Sequence, residues 1–247
     1  MNPAQFEWTP EFWQGWRESG NPYRRYKSER DRQLVLDSLA LRDGDRILEV
    51  GCGYGWISQA LWEAAKIEWT GVDDSVEMVE RMRSTHRDRA ARLMLADACG
   101  LPFRDGEFDK VLCTGVLMHI RHCTTATREL IRVLRPGDPL LCSINNALSP
   151  ISWPVRLWNL RKRGFVQKFQ VPRSFRRLLT TRGVAIDGIR GDGILATAPV
   201  TIGSLSFPPA TLSRVVCKWD CRAVSHVPWL AHEVWFRGVK RNGACAS

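Results

Sequence analysis

Apolar residues in this chain fall into short runs, and these alternate with stretches of helical spacing from about Arg46 onward. Arg46-Ile47-Leu48-Glu49-Val50 reads as a strand that stops at glycines, and Trp56 to Ala65 carries the spacing of a helix. Ile67 to Val72 reads as a second strand, and Ser75 to His86 as a second helix with Ser75 as its cap. Arg92 to Ala96 and Phe108 to Thr114 follow as strands. A helix over Thr124 to Leu134 must stop at Arg135-Pro136-Gly137, because proline lacks the donor and glycine takes the left-handed turn. Leu140 to Ile144 is the fifth strand. This alternation predicts an α/β fold: a Rossmann-like, seven-stranded, mostly parallel sheet with helices on both faces and an antiparallel final strand.

The second half is less regular. Arg173 to Thr181 reads as a helix ending at Gly183, Val184 to Ile189 as a strand, Leu212 to Ala223 as a helix, and His232 to Val239 as the final alternating strand. The lead before the first strand holds Phe6, Trp8, Phe12, Trp13, Trp16, Tyr23 and Tyr26. Residues 1–40 therefore read as an aromatic-rich lead, and 41–247 as the alternating domain, with a basic stretch near 146–182.

Net charge changes the picture more than bulk composition does. The chain carries 36 Lys and Arg against 26 Asp and Glu, a balance of +10. No acidic residue occurs between Pro139 and Ile186, where Arg156, Arg161, Lys162, Arg163, Lys168, Arg173, Arg176, Arg177 and Arg182 all lie. A local single-sign patch attracts anionic partners, so the expected small-molecule substrate is anionic. Trp153, Trp158 and Phe165 interleave with these cations, which also suits RNA. No recognised RNA module is present, and Phe207-Pro208-Pro209 does not reproduce the tetrad of base N-methylating enzymes, so nucleic acid is the weaker reading.

The N-terminus has no basic and apolar leader, and no apolar run reaches the roughly 20 residues of a membrane span, which predicts a cytoplasmic chain. Of the eight cysteines, Cys52, Cys99, Cys113 and Cys142 sit in or beside apolar runs and read as reduced. Cys217 and Cys221, followed by His226 and His232, are too loosely patterned for zinc, and no metal is expected.

The chemistry concentrates in Gly51-Cys52-Gly53-Tyr54-Gly55, between a strand and a helix. Missing Cβ atoms let such a loop turn sharply and approach a ligand. In the dinucleotide fingerprint the third glycine lies five positions after the first. Trp56 occupies that position here and fits a ligand without pyrophosphate. Asp73, about 20 residues on at the end of the second strand, suits ribose hydroxyls. Asp97 ends the third strand on the same edge.

The strings ILEVGCGYG, GVDDS, LADACGLPFRDGEFDKVLCTGVLMHI and RELIRVLRPGD occur in that order. Over roughly residues 45–145 the chain resembles class I S-adenosylmethionine-dependent methyltransferases, in the small-molecule branch that includes ubiquinone/menaquinone-type enzymes. The resemblance implies S-adenosylmethionine as cofactor. It places Glu49, Gly51 and Gly53 at the methionine part, with Cys52 in the same loop. Asp73 is placed at the ribose with Asp74 beside it, Asp97 and Ala98 at the adenine, and Thr114 and Gly115 under the methionyl end. Pro136-Gly137-Asp138 departs from the family, which usually has a second glycine there. The implied reaction is methyl transfer to an oxygen or nitrogen, with His119 either the candidate base or a structural histidine near the cofactor. The resemblance also implies that residues 1–40 act as a helical lid on the methyltransferase domain of 41–247 and that the insertion near 146–182 faces the substrate, with Trp16, Tyr23, Tyr26, Trp153, Arg156 and Arg176 as the candidate substrate contacts. The alternatives are an RNA methyltransferase and a catalytically silent partner subunit with the same fold.

Overall fold

A computed structural model describes residues 9–18, 22–89, 92–150, 152–153, 157, 168–193, 200–202, 205–207 and 227–243. Two helices, α1 (Pro10–Glu18) and α2 (Pro22–Leu39), precede the sheet. The chain then alternates through β1 (Arg46–Val50), α3 (Trp56–Ala64), β2 (Glu68–Asp73), α4 (Val76–Thr85), β3 (Leu93–Leu95), β4 (Lys110–Cys113), α5 (Cys123–Val133) and β5 (Pro139–Asn146). The short β6 (Phe169–Gln170), α6 (Pro172–Thr181), β7 (Val184–Asp192), a hairpin of β8 (Val200–Ile202) and β9 (Leu205–Phe207), and β10 (Glu233–Lys240) complete the described elements.

The main sheet runs β3-β2-β1-β4-β5-β10-β7, with β6 pairing onto the end of β5. Strands β1 to β5 pair in parallel, and β10 lies antiparallel between β5 and β7. The seven-strand path with one antiparallel final strand is the expected architecture. The two-residue β6 and the β8–β9 hairpin are additions that periodicity did not mark, since runs this short carry no measurable period.

A period of two decides which face each strand residue serves. Leu48 and Val50, Val111 and Cys113, Leu140 and Cys142, and Val234 and Phe236 all enter one core, with Leu130, Ile131 and Phe175 from α5 and α6. The intervening Ile47, Leu112, Leu141 and Trp235 enter the other, with Val35 and Leu39 of α2, Leu61 of α3 and Met82 of α4. Helices cover both faces, so the central strands are apolar on both sides, with Glu49 of β1 as a buried exception. Ser75 caps α4 by accepting from the Met78 amide at 3.3 Å, as its sequence position predicts.

Two consecutive parallel crossovers carry the chain from β1 outward to β3. The next returns it to the far side of β1, so β1 and β4 diverge at the switch point of the sheet. Ligands of open α/β sheets bind above such a point.

Phe236 and Phe175 pack edge to face at 5.2 Å, each about 1% exposed. Phe236→Ala should lower the unfolding free energy by about 3–5 kcal/mol, read as a shifted denaturant midpoint with an unchanged slope.

Candidate functional site

At Val50 the chain leaves the sheet and turns into α3 through Gly51, Gly53 and Gly55, with φ of 72°, 55° and 92°. At Gly51 the requirement is also steric, because a Cβ would lie 2.2 Å from Val116 Cγ2. The turn is laced to the end of β2. The amides of Gly51 and Cys52 donate to the Val72 carbonyl at 2.7 and 3.1 Å. The Asp73 carboxylate accepts from Gly53 N at 2.8 Å on one oxygen and from Ser75 N at 3.0 Å on the other. Burial pushes the Asp73 pKa up, and these amide bonds oppose that shift.

Glu49 lies inside the same corner, 4% exposed. Its Oε2 accepts from Ser58 Oγ at 2.6 Å and from Trp69 Nε1 at 2.9 Å, which leaves Oε1 for the cavity that Glu49 lines. Desolvation raises its pKa to about 7 against those two bonds, with nearby Asp73 adding to the rise. Trp69 reaches Glu49 across Gly71, where a Cβ would meet the indole at 2.2 Å.

A cavity of about 350 Å³ opens above these strand ends. Glu49, Gly51, Cys52 and Gly53 line it from β1 and its loop, and Asp73 and Asp74 from the end of β2. Thr114, Gly115 and His119 line it from the segment after β4. The structure thus gathers eight of the ten expected cofactor residues and the expected base around one volume. Asp97 and Ala98 are not on its wall. Asp97 is exposed and turns back to accept from Cys99 N at 2.8 Å, while Ala98 is buried in the core.

The expected substrate contacts fare differently. Tyr26, on α2, is half-buried and off the cavity wall. Trp153 is 65% exposed, and Arg176 is exposed on α6. Arg156 lies outside the described residues, as do the side chains of Trp16 and Tyr23, although those two positions are helical. Cys217, Cys221 and His226 lie outside them too. Among the described residues no helix is long and apolar enough to cross a membrane.

The remaining wall comes from the expected lid region, through residues other than its candidate substrate contacts, and from the β10 segment, which no local pattern linked to the site. Trp13 and Arg17 of α1 and Lys27 and Asp31 of α2 lie on one side, with His232, Glu233 and Trp235 of the β10 segment on the other. They meet in an ion cluster. Lys27 Nζ lies 2.8 Å from Asp31, 2.6 Å from Asp192 and 3.1 Å from Glu233, and Arg30 pairs with Asp192. Two cations face three carboxylates. Burial raises the Asp31 pKa to about 7, while Lys27 and Arg30 hold that of Asp192 down against burial. Charge spacing along α2 alone could have suggested Lys27–Asp31, but the partners 162 to 206 residues away could not be read locally.

His119 sets its ring edge-on to Trp13 at 6.4 Å. The cavity wall crowds the imidazole and pushes its pKa down, while the ring stays open to solvent, so it is neutral at pH 7. Its titration therefore lies below the range that its type suggests.

Residues 48–142 match a family model described as a methyltransferase domain. The chain is 38% identical over 106 residues to the 27-O-demethylrifamycin SV methyltransferase of Amycolatopsis mediterranei, covering 41% of this chain and 39% of that one. It is 33% identical over 116 residues to a demethylmenaquinone methyltransferase of Staphylococcus aureus, covering 45% and 47%. It spans about a third to a half of the length of the curated relatives it matches. The crystal structure of the [4+2]-cyclase SpnF superposes with a TM-score of 0.64 at 20% identity, covering 92% of this chain and 86% of that one, which is a likeness of fold.

Gly51→Ala should cost about 1–3 kcal/mol through its left-handed backbone and add a clash with Val116. Val116→Ala in the same chain should return the clash part and leave the backbone part. Thermal unfolding of the two single variants and the double variant measures this, and additive losses would show that the two residues do not press on each other.

Proposed function

We propose that this chain, which carries a methyltransferase domain of the class I S-adenosylmethionine-dependent type, transfers a methyl group from S-adenosylmethionine to an oxygen or nitrogen of a small molecule. The observation that carries the reading is the corner formed by Gly51, Gly53, Glu49 and Asp73. A glycine turn held against the cavity, with carboxylates rather than cations around it, suits a ligand that is itself cationic and carries hydroxyls. The diphosphate of a dinucleotide would meet Glu49 and Asp73 with like charge, at about several kcal/mol for pairs this buried, and exposed Asp74 would add a weaker, screened repulsion.

In this reading Glu49 takes the amino end of the cofactor, Gly51 and Gly53 lie against its methionine part, and Asp73 accepts from the ribose. The bound cofactor supplies an electrophilic methyl on a sulfonium. The protein orients the acceptor, excludes water and takes up a proton where the acceptor bears one. An anionic acceptor remains part of the proposal on the strength of the chain's net charge. The described cavity wall does not add to that argument, because it carries Arg17 and Lys27 against Asp31, Glu49, Asp73, Asp74 and Glu233.

Titration calorimetry should give micromolar binding of S-adenosylmethionine and none of NAD. Asp73→Ala should weaken the former by more than tenfold, since it removes both the hydroxyl acceptor and the anchor of Gly53. Binding of NAD in place of S-adenosylmethionine would overturn the proposal.

The pKa of Glu49 near 7 adds a pH dependence. A bound cation favours the carboxylate, so binding near pH 6 should release a proton, and affinity should fall by up to about tenfold per pH unit below pH 7. Because the fold raises this pKa, the stability linked to it is present below about pH 4.5 and lost as pH rises toward 7. Glu49→Gln should therefore be more stable than the parent at pH 8, bind S-adenosylmethionine more weakly and lose part of the pH slope. Asp31, which also titrates near 7, would keep the rest. A slope identical in parent and variant would remove Glu49 from the cofactor contact.

A further inference from the structure

The second histidine on the cavity wall, His232, is held in a defined protonation state by three linked groups. Ser152 Oγ lies 2.5 Å from the backbone carbonyl of Asn146, and a carbonyl only accepts, so the single hydroxyl proton is committed to that bond. The same Oγ lies 3.2 Å from His232 Nδ1. With its proton spent, the hydroxyl can only accept there, and the proton of that bond must belong to Nδ1. Burial disfavours the imidazolium, so the ring is neutral at pH 7. A neutral ring protonated at Nδ1 carries a lone pair at Nε2.

The mounting of this ring is rigid. Asn146 N donates to the His232 carbonyl at 2.7 Å, and the Asn146 side-chain amide donates to the carbonyls of Trp229 and Ala231 at 2.6 and 2.8 Å. His232 N donates to the Gly193 carbonyl at 2.5 Å, and Phe169 packs edge-on to the ring at 5.9 Å. The charged groups that act on it come from three elements: Glu233 on β10, Asp192 on β7 and Lys27 on α2. Glu233 and Asp192 favour a positive ring and Lys27 opposes it. Beside them Asp31 presents a buried Oδ1 that has no partner among the described residues, at 6% residue exposure, and Asp31 lines the same cavity. An unpaired buried acceptor of this kind costs about 1–3 kcal/mol and marks a place where a donor group fits.

We infer that the end of the cavity between α2 and β10 is the acceptor subsite, that it takes a hydroxyl-bearing molecule, and that His232 Nε2 receives the hydroxyl proton during transfer. The inference rests on the methyl-transfer reading. An oxygen lone pair of the acceptor forms the new bond to the methyl carbon, and the electron pair of the broken carbon–sulfur bond leaves with sulfur. The hydroxyl proton passes to Nε2 and then to water. Ser152 and the Asn146 carbonyl act as positioning groups that keep Nδ1 protonated and Nε2 facing the reaction.

Nitrogen-15 spectra of the histidine rings in the intact chain at pH 7 should show His232 with the proton on Nδ1, and Ser152→Ala should lose that preference. Diethyl pyrocarbonate, which modifies unprotonated imidazole nitrogens, should label His232, and hydroquinone or catechol in excess should slow the labelling. With S-adenosylmethionine and a panel of phenols as acceptors, His232→Gln should lower kcat by about 10²–10⁴-fold and leave cofactor affinity within about twofold. Ser152→Ala should lower kcat less. A proton on Nε2, a ring inert to the reagent, or a kcat unchanged in His232→Gln would overturn the inference. So would transfer confined to amines, or the same loss appearing only in His119→Gln. Failure of S-adenosylmethionine to bind the parent protein would instead overturn the methyl-transfer reading, and calorimetry separates the two.

Discussion

The site depends on one constraint: the end of β2 must hold the turn that follows β1. Three residues of that turn have positive φ, and within the turn only the Gly55 amide, which donates to the Cys52 carbonyl at 3.1 Å, offsets the lost conformational freedom. The Val72 carbonyl takes two of its amides, and the Asp73 carboxylate takes a third. Because β1 and β2 pair in register from Arg46 with Glu68 to Val50 with Val72, this anchor follows from strand length alone. The same lacing delivers the Asp73 carboxylate to the cavity, so the group that folds the turn is also a group on the cavity wall.

A second corner closes over the first. The Lys27, Arg30, Asp31, Asp192 and Glu233 cluster joins α2 to the ends of β7 and β10, and these elements supply the far wall of the cavity. Ion pairs this buried add little net stability over well-packed apolar groups, since desolvation offsets most of the attraction. Their effect is on register. Removing one partner would strand the others, so the cluster fixes where α2 crosses the sheet edge. That crossing in turn decides how far Asp31 and Lys27 stand from His232 and Glu233.

The near side of the site was legible in the sequence because its parts are local in the chain. A strand, its glycine turn and an acidic residue about 20 positions later form one crossover unit, and each part has a signature of its own. Gly51, Gly53 and Asp73 could be located in this way, while Glu49 and Thr114 were marked by the family resemblance. The far side was not legible, because Lys27 meets residues 165 and 206 positions away, and Ser152 meets His232 across 80. No periodicity records such pairings. Asp97 shows the converse limit: its placement at a strand end was readable, but its Asx turn onto Cys99 N directs the carboxylate away from the wall.

The distribution of charge then separates approach from recognition. The chain carries +10 overall, and on α6 the cations Arg173, Arg176 and Arg177 are exposed. The cavity wall has the opposite balance. A positive exterior draws anions toward the molecule over roughly a Debye length of about 8–10 Å, and added salt weakens that pull. Inside the cavity, screening is weaker, and the carboxylates favour a positive ligand. Under the proposed methyl transfer, a cationic donor would lose its sulfonium charge, and with it part of its attraction to Glu49, Asp73 and Asp74. The same acidic wall that would help such a donor bind would therefore help the spent donor leave.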